Sequence, residues 1–202
     1  GDPRDVADFS ENGRTKRDTE EQTMKAAVCT GVGSIEIQDI PKPEPKPGEV
    51  LVQIKSVGVC GSDVDGYHGQ HPMIDYPIVL GHECSGIIAE VGEGVDPGRI
   101  GEAVTVEPFF TCDACPFCLE GTYNCCSDLK IIGHQVQGAI AEYMPIPAKF
   151  AHFKPDNVSF DEAAILEPCS GSLHAVRRCH IQSGDVVVII GCGTMGSFAT
   201  QH

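Results

Sequence analysis

The chain has 202 residues, of which 41% are hydrophobic, and a formal net charge of −15 at pH 7. This acidity disfavours nucleic acids and anionic membranes as partners, because both bind proteins through basic patches. Neither an apolar run of about eighteen residues nor an apolar N-terminal segment is present, so we expect no membrane span, no secretory signal and a cytoplasmic location.

The chain divides near Met24 into a charged segment and a β-rich one. Residues 1–23 carry seven acids and four bases with few apolar side chains, which predicts a flexible tail. Beyond it, short apolar and β-branched runs alternate with glycine, proline and aspartate turns and with an extended linker, Pro41–Pro47. This spacing predicts a mostly β domain over residues 24–160, a partly open β-barrel. The predicted strands are Ala26–Cys29, Ile35–Ile37, Glu49–Val59, Gly86–Val91, Ala103–Val106 and Ala139–Pro145.

The pattern changes after residue 160 to one that favours helices. Ser159 followed by Glu162 is a capping-box pair, in which each residue satisfies a free backbone N–H group of the first helical turn. A helix is therefore expected over Asp161–Leu166, and a second helix over Leu173–Arg178.

A buried strand followed by glycines predicts the start of a nucleotide-binding fold. The run Val-Val-Val-Ile-Ile in Asp185–Ile190 favours a parallel strand, and a helix is expected over Ser197–His202. The glycines between them allow a pyrophosphate to approach the backbone, although close strand–helix packing is an alternative role. We expect residues 161–202 to hold a connecting helix and the first β-turn-α of a truncated Rossmann domain. We therefore expect either that the 202-residue chain is inactive alone or that its segment after about Ile181 is poorly anchored. The candidate cofactor-binding residues are Gly191, Gly193 and Gly196.

Eleven cysteines among 202 residues favour metal binding over a disulfide framework. Disulfide frameworks are typical of short secreted chains, whereas here five cysteines cluster between positions 112 and 126. The remaining cysteines stand singly, and most of them are interpreted as small hydrophobic core residues: Cys29, Cys84, Cys169, Cys179 and Cys192.

Cys112-x-x-Cys115-x-x-Cys118, followed by Cys126, predicts a structural zinc site. Two-residue spacers let tight turns present several sulfurs to one ion, and four thiolates leave no open coordination position. Cys125 competes with Cys126 for the fourth position. An iron–sulfur cluster and four unligated cysteines are the other interpretations.

A second set of zinc-competent side chains is dispersed along the chain, each beside a glycine or a proline. Taken singly, each is more often a core residue than a ligand. Together they supply a thiolate, an imidazole and two carboxylates, which is enough for an open zinc site with a position for water. Such a site can bind an alcohol and lower its pKa. The residues are Cys60, His82, Glu83 and Glu167.

From residue 24 to the last residue, the chain resembles the zinc-dependent medium-chain dehydrogenases, in particular the sorbitol-type polyol dehydrogenases and the threonine dehydrogenases. The resemblance implies a GroES-like catalytic domain with a zinc lobe, followed by a Rossmann domain. The segments that carry it are Cys60-Gly-Ser-Asp, Gly81-His-Glu, the cysteines at positions 112, 115, 118 and 126, and Leu166-Glu-Pro with His174-Ala-Val-Arg-Arg.

The resemblance also implies roles for single residues. Cys60, His82 and Glu83 would hold a catalytic zinc, and Glu167 would either ligate it or hold the water or substrate. Ser62 would begin a proton relay. Many family members have a histidine at the position of Asp65, and His68 is either its substitute or a surface residue.

The implied protein binds two zinc ions per chain and NAD or NADP, and it forms a homodimer or a homotetramer. Its expected reaction is hydride transfer from a zinc-bound secondary alcohol of a polyol or sugar-like molecule to the nicotinamide. Two alternatives stay open: an L-threonine 3-dehydrogenase activity, and a zinc or redox module without enzymatic activity.

Overall fold

The computed structural model describes residues 22–202, so all of the expected tail except its last two residues lies outside the described part. Within it, the chain forms ten strands and five α-helices. The strands are β1 Thr23–Gly31, β2 Ser34–Pro41, β3 Glu49–Gly58, β4 Ile78–Val79, β5 Glu83–Val91, β6 Ala103–Val106, β7 Phe109–Phe110, β8 Lys130–Ile131, β9 Tyr143–Pro147 and β10 Ala151–Phe153. The helices are α1 Gly61–Tyr67, α2 Pro116–Leu119, α3 Phe160–Ala164, α4 Leu166–Arg178 and α5 Thr194–Gln201.

Three antiparallel sheets make up the β-rich part. The largest has the strand order β10-β6-β5-β3-β9, a second has the order β2-β1-β4, and β7 pairs with β8. The main core lies against the largest sheet, where inward-facing apolar residues of its strands meet, as alternation along half-buried strands requires. The mostly β prediction is confirmed, and the strands described do not close into a complete barrel.

The strand predicted over Ala139–Pro145 begins later, at the first residue of β9. The residues just before β9 do not extend this strand, because their backbone forms hydrogen bonds with the segment around β4. Gly138 N donates to Val79 O at 2.7 Å, and Ala139 N donates to Gly81 O at 2.8 Å. This pairing fixes the loop before β9 beside the turn that precedes β5.

The capping box predicted at Ser159 and Glu162 is present and begins α3. The helix packs on the largest sheet: Ser85 Oγ donates to Phe160 O at 2.6 Å, and Thr105 Oγ1 donates to Ala163 O at 2.8 Å. Helix α4 begins well before the predicted Leu173, because its proline lies in the first turn, where no backbone N–H is needed.

The prediction of a strand over Asp185–Ile190 is wrong for the structure. A parallel strand needs neighbours for its ladder, and no strand of residues 22–202 lies beside this segment. Val186 and Ile190 are 93% and 96% exposed. The following helix, α5, begins three residues before the predicted Ser197 and contacts α4, where Ser172 Oγ donates to Met195 O at 3.1 Å.

The interpretation of the single cysteines as core residues is right for two of them and wrong for two others. Cys29 and Cys84 are fully buried, and burial raises the pKa of the Cys84 thiol to about 12. Cys169 is half-buried, whereas Cys179 and Cys192 are exposed. Both exposed thiols lie in the part of the chain that follows α4 and has little core of its own. No helix among residues 22–202 combines the length and the apolar character needed to cross a bilayer.

Candidate functional site

One buried carboxylate joins the two segments of the dispersed site. Asp63, in α1, is 3% exposed and accepts two backbone hydrogen bonds: Cys60 N donates to its Oδ2 at 2.8 Å, and Gly81 N donates to its Oδ1 at 2.9 Å. The first bond caps α1, for which Cys60 is the N-cap residue. The second fixes the turn before His82. Two segments about twenty residues apart in sequence are therefore held together by a single side chain.

The ligand atoms of Cys60, His82 and Glu83 all lie within 4.8 Å of one another. Glu83 is the first residue of β5 and pairs with Gly58, the last residue of β3. A Cβ atom at Gly58 would lie 2.4 Å from Glu83 Oε2, so only glycine leaves space for the carboxylate there. The site is thus built on the end of the central strand pair of the largest sheet.

The charges around these residues favour a bound cation. The neighbouring His82 imidazole lowers the pKa of the Cys60 thiol, against the opposing effect of burial. Burial alone would lower the pKa of His82, but Cys60 and the carboxylate of Asp63 outweigh it and raise the pKa. The buried His82 Nδ1 has no hydrogen-bond partner among the described residues, and Asp63 Oδ1 stands 3.8 Å from it. A thiolate, an imidazole and a carboxylate together form a donor set that suits zinc and leaves one position open.

Glu167 lies beside this trio but is not part of it. It is carried by the first turn of α4 and is partly buried. Burial raises the pKa of its carboxyl group, as does the charge of Glu83, while His82 acts in the opposite direction. The Glu167 carboxylate is therefore close enough for the charges of His82 and Glu83 to affect its pKa, but it lies outside the cluster of ligand atoms.

The partner of Ser62 is a residue that the sequence interpretation missed. His134 Nε2 lies 3.2 Å from Ser62 Oγ. Its ring also lies edge-on to His82, with centroids 5.1 Å apart. Asp65 and His68, the positions considered from the sequence, are both exposed. A signal for His134 was available, since the pair Gly-His occurs twice, at positions 81–82 and 133–134.

The four predicted cysteines of the zinc lobe converge on one point. Their sulfur atoms all lie within 4.8 Å of one another, with Cys115–Cys118 and Cys112–Cys126 separations of 3.5 Å. Four sulfurs at about 2.3 Å from one ion would be separated by roughly 3.8 Å, so the cluster has the size of a single-ion site. Cys126 takes the fourth place, while the exposed Cys125 lies outside the cluster.

The zinc lobe, residues 112–126, has little apolar support. Backbone N–H groups of Ser127 and Cys118 lower the pKa of Cys115, whereas burial and the neighbouring thiols raise that of Cys118. Four adjacent sulfurs cannot all be ionised without a cation between them. A side-chain tie to the body of the domain is the ion pair between Lys149 and Asp113.

Gly191 and Gly193 precede α5, with Gly193 as its N-cap residue, and Gly196 lies in the first turn of the helix, against the backbone of Gly191. Gly191 and Gly193 are exposed, as is the whole of residues 181–190. The structure therefore presents a glycine turn at a helix N-terminus, next to an unpaired apolar segment.

Comparison with known proteins places these features in context. Residues 46–156 match the family described as the alcohol dehydrogenase GroES-like domain. The chain is also similar to the sorbitol dehydrogenase of Bacillus subtilis (strain 168), with 40% identity over 182 residues, which cover 88% of this chain and 52% of that protein. The chain thus spans about half the length of the curated relatives it matches.

Two solved structures extend the similarity to the whole described fold. One, described as a short chain alcohol dehydrogenase from Escherichia coli CFT073 complexed with NADH, has a TM-score of 0.84 and 35% identity, and the match covers 89% of this chain and 52% of that one. The other, described as a putative zinc-binding dehydrogenase from Sinorhizobium meliloti 1021 bound to NADP, has a TM-score of 0.83 and 36% identity, with the same coverages of 89% and 52%.

Proposed function

Because the chain belongs to the alcohol dehydrogenase GroES-like family, we propose that it is the zinc-binding catalytic part of a dehydrogenase. The proposed reaction is the oxidation of a secondary alcohol of a polyol or sugar-like substrate by a nicotinamide coenzyme. The observation that carries the proposal is the convergence of Cys60, His82 and Glu83 within 4.8 Å, beside the Ser62 hydroxyl. The similarity to a sorbitol dehydrogenase supports the choice of a polyol.

Each residue of this site would have a separate role in the reaction. Cys60, His82 and Glu83 would hold a zinc ion, which supplies the Lewis acid that lowers the pKa of the substrate hydroxyl. Ser62 would accept the proton of that hydroxyl and pass it outward. Glu167, with its raised carboxyl pKa, would hold a water or a substrate hydroxyl at the edge of the site or enter the ligand set.

A nicotinamide coenzyme would accept the hydride. Gly191, Gly193 and Gly196 would line its pyrophosphate, because backbone N–H groups at a helix N-terminus attract anionic oxygens. Similar structures bind NADH in one case and NADP in the other, so both coenzymes are candidates. We propose that residues 24–160 form the catalytic domain and that residues 161–202 begin the coenzyme domain.

The zinc lobe would hold a second zinc ion through Cys112, Cys115, Cys118 and Cys126. Four thiolate ligands leave no place for a substrate, so its role would be structural. None of the eleven cysteines, all of which lie among the described residues, forms a disulfide, which supports a reducing, cytoplasmic location. For the whole protein we propose a dimer or a tetramer with a small-molecule substrate.

The experiment measures activity and metal content in the natural protein. Wild type should reduce NAD or NADP with sorbitol, xylitol or a related secondary alcohol, and it should contain about two zinc ions per chain. Cys60→Ser should abolish this activity and leave about one zinc ion. A wild type that oxidises L-threonine but no polyol would favour the threonine dehydrogenase alternative. One zinc ion and no dehydrogenase activity would favour a non-enzymatic zinc module and overturn the proposal.

A further inference from the structure

We propose that His134 is a positioning residue for this reaction: its Nε2 accepts a hydrogen bond from the Ser62 hydroxyl and so turns the Ser62 oxygen towards the alcohol. The proposal rests on the proposed function. It assigns a role to a histidine that lies more than seventy residues from Ser62 in sequence. In the structure their polar atoms are 3.2 Å apart, which is within hydrogen-bond distance.

His134 is held firmly in this place. It is 6% exposed, and the glycine before it lies against the turn that precedes His82. A Cβ atom at Gly133 would lie 2.9 Å from Gly81 N, so the two Gly-His turns touch backbone to backbone. The loop is also tied by the bond from Ala139 N to Gly81 O, at 2.8 Å. The position of the imidazole is thus set by the segment that also positions a metal ligand.

The direction of the hydrogen bond follows from what Ser62 has to do. A neutral imidazole has one nitrogen that donates and one that accepts. The Nδ1 of His134 has no partner among the described residues, so its surroundings do not select the tautomer. If Ser62 accepts the proton of the alcohol, its own O–H must point to another acceptor. The Cys60 sulfur is also near the Ser62 hydroxyl, which helps to lower the pKa of the Cys60 thiol. A sulfur that shares an electron pair with zinc would be a weaker acceptor than the lone pair of an imidazole, so His134 Nε2 is the preferred acceptor.

The other histidine considered for this neighbourhood does not meet Ser62. His68 is exposed at the end of α1, and its ring contacts Tyr67. Asp65 is exposed on the same helix. A fixed acceptor at His134 would therefore orient the serine without either of them. The orienting role needs only the lone pair of a neutral ring. When Ser62 takes the proton of the alcohol, its own hydroxyl proton passes along this hydrogen bond to His134 Nε2.

The test is a double-mutant cycle on the natural, zinc-loaded protein, with the best polyol substrate as the probe. His134→Leu and Ser62→Ala should each lower kcat/KM by roughly 10-fold to 100-fold, because each leaves a buried polar group without its partner. The double variant should be about as active as Ser62→Ala alone, since the two residues act as a unit. The loss should lie in kcat, with KM changed less than about three-fold, because the contact acts when the proton leaves.

Two further variants make the result specific. His134→Gln places an amide oxygen near the position of Nε2, which can orient the Ser62 hydroxyl but accepts its proton less readily. It should therefore give a kcat between those of His134→Leu and wild type. His68→Leu, the matched control, should behave as wild type. The cobalt-substituted His134→Leu protein should keep the thiolate-to-cobalt absorption of wild type, which shows that the ligand set is unchanged.

Each contrary result removes the proposal. Additive losses in the double variant would mean that His134 and Ser62 act independently. A His134→Gln variant as poor as His134→Leu would mean that the acceptor is irrelevant, and an altered cobalt spectrum would mean that His134 acts through the metal ligands. A wild type inactive on every alcohol would instead reject the proposed function and this inference together, whereas an active wild type with additive losses rejects the inference alone.

Discussion

The two ligand clusters of this protein are built in opposite ways. Cys60, His82 and Glu83 come from separate parts of the chain and lie at the end of the central strands, beside the main core. The cysteines of the zinc lobe come from a stretch of fifteen residues, 112–126, that contains only short helices and turns. The segments of the first cluster are tied to one another by Asp63 and by the pairing of β3 with β5. The second is joined to the rest of the domain by few side-chain contacts, among them Lys149 with Asp113 and Tyr123 with Phe150, so a bound metal would do most to organise it.

The largest expected effect separates the clusters by stability. Cys115→Ser should lower the free energy of unfolding by on the order of 4 kcal/mol, because it opens a four-thiolate site that holds the zinc lobe together. Cys60→Ser should lower it by only about 1 kcal/mol, because Asp63 and the sheet keep its neighbours in place. The measurement is chemical denaturation of both variants. Equal losses would mean that the two clusters are not differently built.

The second prediction concerns the order in which the metals leave. A three-ligand site with an open position exposes its ion to a chelator, whereas a closed thiolate site does not. Zinc content during slow chelation should therefore fall from about two ions per chain to about one before the near-ultraviolet circular dichroism of the fold changes. Cys60→Ser provides the control, because it should show only the second step. Simultaneous loss of both ions from wild type would contradict the comparison.

The third prediction tests whether the first cluster really depends on the sheet. Gly58→Ala should push the Glu83 carboxylate away, since the added Cβ atom would lie 2.4 Å from Oε2. Affinity for the first-released zinc should fall roughly 10-fold to 100-fold, as it does when the supporting contacts of a ligand are lost. Gly31→Ala is the matched control, because no atom lies within 4 Å of its Cβ position. Unchanged zinc affinity in Gly58→Ala would show that the space at Gly58 does not determine the position of the Glu83 carboxylate.

The difference between the clusters also explains what the sequence could predict. The cysteine cluster of the zinc lobe could be predicted from the sequence, because its members are close in sequence and their spacing reflects a local turn. The choice between Cys125 and Cys126 could not be predicted, because it depends on which sulfur the 3₁₀ turn at Tyr123–Cys125 directs inward. The dispersed ligands were proposed from their residue types, and their single roles came from a family resemblance. Neither Asp63 as their link nor Gly58 as the space beside Glu83 was foreseen. His134 was missed because its proximity to Ser62 arises from long-range backbone pairing around β4.

The same reasoning accounts for the wrong strand prediction. Val186–Ile190 has the composition of a buried strand. A β-ladder also needs a neighbouring strand, and the composition of one segment does not show whether such a strand is present. With no neighbouring strand among the described residues, those side chains are exposed. The class of the β-rich part of the fold was therefore predictable, because its antiparallel strands find their partners within residues 23–153.

The smallest expected effect concerns the ion pair that ties the zinc lobe to the body of the domain. Lys149 donates to both carboxylate oxygens of Asp113, and this contact, with one from Thr111, lowers the pKa of Asp113 below its ordinary value of 3.8. A carboxyl group whose pKa is lowered by folding stabilises the folded form above its ordinary pKa, and this contribution is lost as the pH falls through the folded value. Because both partners are largely exposed, the contribution should be about 0.5 kcal/mol or less.

Lys149→Met should therefore release the zinc of the zinc lobe slightly earlier on acidification. The pH of half-release should rise by less than about 0.4 unit, since one pKa unit corresponds to about 1.4 kcal/mol. In 1 M salt the difference from wild type should vanish, because the Debye length is then only about 3 Å. Lys55→Met, which alters an exposed lysine of β3, should not shift the midpoint. A shift that persists in high salt would show that Lys149 supports the zinc lobe by packing on Phe150, 4.7 Å from its ring centre, rather than by its charge on Asp113.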